Sequence, residues 1–517
     1  MTEFSGSPLD PLQIPNDLTI AEFMLEYRHP LRPAQGKIPC LIEEETGRQV
    51  SLNEVCNKML FYNVCLTQSC LDYPVAIWAP QYLGAIFTGA NPNSTSAELV
   101  YHIKLTGTTL IIAHSASFEA ASEAAKLAGI SSDRVLTLDS HPKATSVETL
   151  ISGASVSSTF VPKKLGVGEG KTKIAALCLS SGTTGQPKAV AISHSAVISN
   201  TIQLSVQYPT IDTLFTPGDV ASGVLPFFHI GGLVMHLHWM VFCAVTIVVI
   251  PKFSLVGMLD SVARYGIQHL LPTVPFNKLP DSSGKKYDLS KIKYIAVRTS
   301  SLSNHGLVFN NVNRQCGAAS MTSELQDQLV QLCPQATVGQ TYGTTETPAA
   351  LITTPISRSF TSGSTGNLLP GVQARVVKSD GTLAGYNEPG ELMVKSPSLA
   401  LGYYKNQQAT DESFTADGWY RTGDEVTVNE QGEVFITGRL KELIKVRGFQ
   451  VSPPELEGLI LNHPDVSDVC VLGIPDDYSG EVPRAYVVLT EAASSKAKLD
   501  PEPIKASIVK AYTAYSF

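Results

Sequence analysis

From about Val75 to Ile250, short apolar runs alternate with segments of helical period: "VAIWAP", "LIIAH", "RVLTL", "IAALCL" and "VTIVVI" are separated by stretches such as "SAELVYHIKLTG". Apolar runs without a polar face predict strands buried on both sides. Alternation with helices then predicts a largely parallel sheet covered by helices. From Gly363 the texture changes to glycine-punctuated segments, "ARVVKSDGTLAGYNEPGELMVKS" and "GEVFITGR", which predict a small antiparallel, β-barrel-like unit. After Arg439 it changes again. "PPELEGLI" opens on prolines and an early glutamate, good chemistry for a helix N-terminus, and "VSDVCVLGIPDD" follows as a strand. The predicted fold class is α/β. No internal repeat or low-complexity tract interrupts it.

One apolar stretch is long enough to raise the question of a membrane span, because Gly231 to Ile250 carries no formal charge. His236, His238 and Trp239 break its first half at helical spacing, while "AVTIVVI" is β-branched and stops at Pro251. This pattern predicts a buried helix followed by a buried strand. The chain of 517 residues suggests about three packed units at roughly 100 to 200 residues each. Its net charge of -8, with 16% charged residues and no Lys/Arg block, argues against an electrostatic nucleic-acid binder and for small-molecule ligands. Nine scattered cysteines form no C-x-x-C pair and have no histidine at metal-ligand spacing, so they are read as reduced thiols of an intracellular protein. "MTEFSGSPLDPLQIP" lacks a basic start and apolar core, and "AYSF" is no peroxisomal address, so the expected location is cytoplasmic.

Candidate chemistry begins at "SSGTTGQPKAV", Ser180 to Val190. Glycines and hydroxyl side chains in a turn after a strand let backbone N–H groups approach phosphate oxygens, and Lys188 adds a cation, so a polyphosphate is the natural guest. The segment is not the G-x-x-x-x-G-K-[ST] loop, and standing alone it would read better as an ordinary Ser/Gly loop. Other segments change that weight: "GQTYGTTET" (Gly339 to Thr347), "GWYRTGD" (Gly418 to Asp424) and "GRLKELIKVRGFQVSPPELE" (Gly438 to Glu455). In this order they resemble the adenylate-forming (AMP-binding) superfamily, most closely its 4-coumarate:CoA-ligase-like acyl-CoA ligases. The resemblance runs from about Thr46 to Arg484.

The resemblance implies a large N-terminal domain (1–438) of parallel sheets covered by helices with a β-barrel-like subdomain, a hinge (439–442), and a small, mobile α+β C-terminal domain (443–517), incomplete at its end. It implies that Ser180, Ser181, Gly182, Thr183, Thr184 and Lys188 close over the β- and γ-phosphates of ATP. Tyr342 would pack on adenine, with Gln340, Thr341 and Gly317, Ala318 and Ala319 around the base. Thr345 would contact the α-phosphate, and Glu346 would ligate Mg²⁺, a hard cation that prefers oxygen. Asp424 would accept both ribose hydroxyls, beside Arg439. His229 would line the carboxylate end of the substrate pocket, with Phe228, Gly231 and Met235 shaping the acyl pocket, where Gly231 argues for room. Lys441 and Lys445 would contact the adenylate, and Lys252, Arg447 and Gly448 the thiol channel.

The implied reaction joins a carboxylic acid to AMP with loss of pyrophosphate and then transfers the acyl group to coenzyme A. Two anions must meet in the first step, which requires Mg²⁺ and cationic side chains. Alternatives are an adenylation enzyme loading a carrier-protein thiol, or a homologue that binds ATP without full turnover. Three departures from the family pattern bear on them. No lysine motif like PKSPSGK precedes Phe517, and losing such a donor is expected to cost on the order of 10² to 10³ in rate. Thr299 to Gln315 separates "YIAVR" from "CGAASM" and reads as a retained intron or a surface insertion. The stretch between Glu54 and Val64 is short where the family places a long helix.

Overall fold

Parallel strands make up the middle of the largest sheet. In spatial order they are Thr337–Tyr342, Tyr294–Arg298, His269–Leu270, Val220–Gly223, Thr246–Val249 and Pro39–Glu43. Antiparallel strands extend it at both edges, Ile352–Thr353 and Asn367–Leu368 on one side and Gln49–Ser51 on the other. This is a computed structural model, and it describes residues 3–10, 13–58, 70–147, 149–150, 162–180, 186–210, 214–271, 287–298, 329–356, 361, 363–440, 442–446, 449–451, 453, 456–457, 460, 463–476, 480–497 and 502–513.

A second sheet is built on a hairpin of Ile174–Ser180 and Lys188–Ser193, flanked by Phe87–Thr88 and Gly402–Tyr403. The helix His194–Gln207 follows the hairpin, capped by Ser193, and every residue from His194 to Ser205 is buried. Two of its polar side chains bond to backbone: Asn200 donates to the Ala350 carbonyl at 2.7 Å, and Gln203 to that of Pro370 at 2.8 Å. A small parallel pair, Ile111–Ala113 and Val135–Thr137, packs with the helices Ser96–Thr106 and Phe118–Ala128 around a core of its own. Thr95 and Glu98 form a capping box on the first of these helices, and Gly107 closes it in the left-handed region.

The glycine-punctuated region forms a five-stranded antiparallel sheet of Gln373–Val377, Gly390–Lys395, Tyr420–Val428 and Val434–Arg439, with Phe4–Ser5 on its edge. A bridge from Gly366 to Val434 connects it to the large sheet. The last sheet holds Phe449–Val451, Ile444–Val446, Gly480–Leu489 and Val466–Asp476, followed by helices Glu491–Ala497 and Glu502–Thr513.

One predicted strand is a helix. "VAIWAP" lies inside Tyr73–Tyr82, where Pro74 occupies the first turn and all ten residues are buried. A helix buried all round has no polar stripe, so its periodicity cannot be told from that of a buried strand. The uncharged stretch resolves as expected: helical from Ile230, with a π-helix at Gly232–Met240, and then the strand Thr246–Val249. Among the described residues no helix is long and apolar enough to cross a membrane.

Candidate active site

In parallel α/β sheets, ligands bind beyond the carboxyl ends of the strands, where the connections leave room and the helix N-termini point. Three of the predicted segments leave the large sheet at that end. Val220–Gly223 runs into the loop bearing Phe228 and His229, Thr246–Val249 leads to the exposed Lys252, and Thr337–Tyr342 leads to the turn bearing Thr345 and Glu346. The strands are in register at this edge, with Val249 beside Gly223 and Thr341 beside Arg298.

The turn after Tyr342 depends on a close backbone approach. A Cβ at Gly343 would lie 1.9 Å from the carbonyl oxygen of Ala349, so only glycine permits the chain to double back there. Thr347 Oγ1 accepts from the Thr344 N–H at 2.9 Å, and Asn200 receives the Ala350 N–H, which pins the far end of the turn to the buried helix. Thr345 stands half-buried on this turn and Glu346 is buried beside it.

The Ser/Thr/Gly loop is a hairpin connection, with Ser180 paired to Lys188 across its base. The helix follows the second strand rather than the loop, so this loop lacks the direct helix N-terminus of a Walker loop. Tyr101 donates to the Pro187 carbonyl at 2.8 Å and steadies the return. The Lys188 ammonium lies 4.8 Å from the centre of the Tyr403 ring, and the Tyr403 hydroxyl donates to Glu346 Oε1 at 2.9 Å. Burial, and then the Glu346 carboxylate, push the Tyr403 phenol upward, so it stays a donor.

Tyr342, Asp424 and Arg439 form a second cluster. Asp424 and Arg439 face each other across two strands, the guanidinium Nε donating to Asp424 Oδ1 at 3.1 Å, while the Tyr342 hydroxyl donates to Oδ2 at 2.5 Å. Burial pushes the Asp424 carboxyl above its ordinary range, with Arg439 and the Tyr342 hydroxyl opposing it. Burial works against the Arg439 charge as well, but Asp424 and then Glu442 outweigh it and raise the guanidinium. Gln340 is fully buried and donates to the Ser364 carbonyl, and Thr341 is buried beside it.

His229 Nδ1 accepts the Gly231 N–H at 3.1 Å, which leaves Nε2 as the protonated nitrogen of the neutral ring. Phe228 presses on Gly89, where a Cβ would come within 2.8 Å of its Cα. Met235 is buried in the π-helix. That helix is anchored by His238, whose Nδ1 donates to the Leu233 carbonyl at 2.6 Å and whose Nε2 accepts from Trp78 Nε1 at 3.0 Å. The Gly231 backbone caps the same helix.

Ser181, Gly182, Thr183, Thr184, Gly317, Ala318, Ala319, Lys441, Arg447 and Gly448 lie outside the described residues, as do the Lys445 side chain, the Thr299 to Gln315 segment and much of the short 54–64 stretch. The structure therefore brings Ser180, Lys188, Thr345 and Glu346 into one neighbourhood through Tyr403, and Tyr342, Asp424 and Arg439 into another. Sequence reasoning missed Tyr403 and Asn200. "GYYKN" holds a tyrosine pair after a glycine, but nothing local in it says what the ring would meet.

The AMP-binding enzyme family profile matches residues 64–404, and that of the AMP-binding enzyme C-terminal domain matches 455–516. The chain is 31% identical to 4-coumarate–CoA ligase 3 of Arabidopsis thaliana, covering 98% of this chain and 88% of that protein. It is 32% identical to 4-coumarate–CoA ligase 2 of Oryza sativa subsp. japonica, covering 98% and 89%. Among solved structures, the anthranilate CoA ligase AuaEII in complex with anthranoyl-AMP superposes with a TM-score of 0.75 at 19% identity, over 94% of this chain and 91% of that one. ATP-bound MatB from Rhodopseudomonas palustris gives 0.74 at 24% identity, over 92% and 90%. At these identities the two structures speak for the fold alone.

Proposed function

The chain belongs to the AMP-binding enzyme family, and on that footing we propose that it activates a carboxylic acid with ATP and passes the acyl group to the thiol of coenzyme A. The observation that carries the reading is the meeting of the loop lysine, Lys188, with the Thr345–Glu346 turn through Tyr403, at the edge where an α/β sheet binds ligands.

In the first half-reaction the acid's carboxylate attacks the α-phosphorus in line, and the bond to the pyrophosphate oxygen breaks. Lys188, at the base of the Ser180–Thr184 loop, meets the charge on the β- and γ-phosphates, and Thr345 contacts the α-phosphate. Asp424 accepts the ribose hydroxyls through lone pairs that Tyr342 and Arg439 leave on its two oxygens, while Tyr342, Gln340, Thr341, Gly317 and Ala318 border the base. His229 presents a ring N–H to the incoming carboxylate, and Phe228, Gly231 and Met235 bound the acyl group. In the second half-reaction the thiol attacks the acyl carbonyl and AMP leaves, with Lys252, Arg447 and Gly448 along the thiol's path and Lys441 and Lys445 at the adenylate.

Glu346 fits a magnesium site: it is a single buried carboxylate with one oxygen held by a phenol, and Mg²⁺ is commonly bound by one or two carboxylates plus substrate phosphates. When bound there, the ion supplies neutralisation of phosphate charge.

The test is ATP–pyrophosphate exchange over a panel of aryl and medium aliphatic acids, followed by mass detection of the CoA thioester. Exchange with at least one acid and a thioester product is expected. ATP binding without exchange for any acid would overturn the ligase reading, and exchange without thioester would point to a carrier-protein thiol as acceptor.

A further inference from the structure

Residues 400–404 are stitched to both motifs that handle the phosphates. The Ala400 N–H bonds to the Glu346 carbonyl at 2.9 Å, the Leu401 N–H to that of Ala191 at 2.8 Å, and the Tyr404 N–H to that of Ala189 at 2.7 Å. Tyr403 itself pairs with Val190, two residues beyond Lys188 in the adjacent strand. Its backbone N–H is held by Thr410 Oγ1 at 2.9 Å, and its ring packs edge-on against Phe414. The side chain is therefore fixed before any ligand arrives.

From this position we propose that Tyr403 is a positioning residue for the phosphate and metal site, acting on Lys188 through its ring and on Glu346 through its hydroxyl. The inference rests on the ATP-dependent reading above. Among the described residues Lys188 has no carboxylate partner, and its ammonium sits over the ring face instead. A π face holds a cation in place by its quadrupole without cancelling the charge, so the full charge remains for phosphate oxygens. On the other side, the hydroxyl engages one oxygen of Glu346 and fixes the plane of the carboxylate, which leaves the second oxygen oriented for a hard cation.

The experiment measures ATP binding by calorimetry, in EDTA and across a magnesium titration, for the wild type, Tyr403→Phe and Tyr403→Leu, with thermal melts as a folding control. Tyr403→Phe keeps the ring. It should bind ATP in EDTA as the wild type does, yet need about 10- to 100-fold more magnesium for the metal-dependent gain. Tyr403→Leu should add an affinity loss in EDTA of about two- to fivefold, from the missing cation–π contact. In a Glu346→Gln background, Tyr403→Phe should change nothing. A wild-type magnesium requirement in Tyr403→Phe, or equal losses with and without magnesium, would overturn the proposal. A wild type that binds ATP without any magnesium dependence would overturn the functional reading itself.

Discussion

At the scale of single residues, the candidate nucleotide groups are held in pairs whose members come from distant parts of the chain. Asp424 is nearly buried and keeps both oxygens engaged, so an Asn there preserves shape and the Tyr342 hydrogen bond while removing the charge. Hydrogen bonds to a charged group are worth about 1.5–3 kcal/mol, so Asp424→Asn should weaken ATP binding about ten- to hundredfold. Calorimetry on the folded variant checks this, and an unchanged affinity would remove Asp424 from the ribose. Tyr342 and Asp424 could be named as candidates from the sequence because the motifs that hold them, taken together and in order, carry the family resemblance. Tyr403 could not, because its work depends on Lys188 and Glu346, and a string of residues does not state which ring lies beneath which ammonium.

Among elements, the turn from Gly343 to Ala349 governs where Thr345 and Glu346 stand. Gly343→Ala places a carbon against the Ala349 carbonyl and should cost about 1–3 kcal/mol of stability, as overpacking does. The variant should melt at a lower temperature and also lose ATP affinity, because relieving the clash moves both side chains. Retained ATP affinity in a destabilised variant would show that the turn's shape does not place them. The helix Tyr73–Tyr82 illustrates the limit of pattern reading at this scale: its residues are apolar on every side, and only the packing around it decided between helix and strand. The π-helix was equally invisible, since one of the two His238 bonds that anchor it, from Trp78, reaches across 160 residues of chain.

For the whole molecule, several histidines are locked away in neutral form. Burial lowers His102, His194 and His238 from 6.5 to about 4. The unfolded chain takes up protons below about pH 6.5 that these folded rings refuse until about pH 4. Their contribution is thus complete above the upper value and is lost as the pH falls through that window, by up to about 3 kcal/mol per ring. The melting temperature should fall from neutral pH towards pH 5. His102→Gln should flatten part of that slope, since an amide can still donate to Thr88 but does not titrate. Identical slopes in the two proteins would rule His102 out as a contributor.

The sequence by itself determined the class of fold, the succession of a parallel α/β unit, an antiparallel sheet and a final α+β unit, and the family. Apolar periodicity is a local property that survives without coordinates, and so do the motifs whose order carries the family resemblance. Tertiary structure alone decided that the Ser/Thr/Gly loop closes a hairpin, that Lys188 rests on Tyr403, and that Tyr403 reaches Glu346. Those contacts are set by strand pairing and sheet order, which bring Tyr403 beside both Lys188 and Glu346 and leave no periodic trace in the chain.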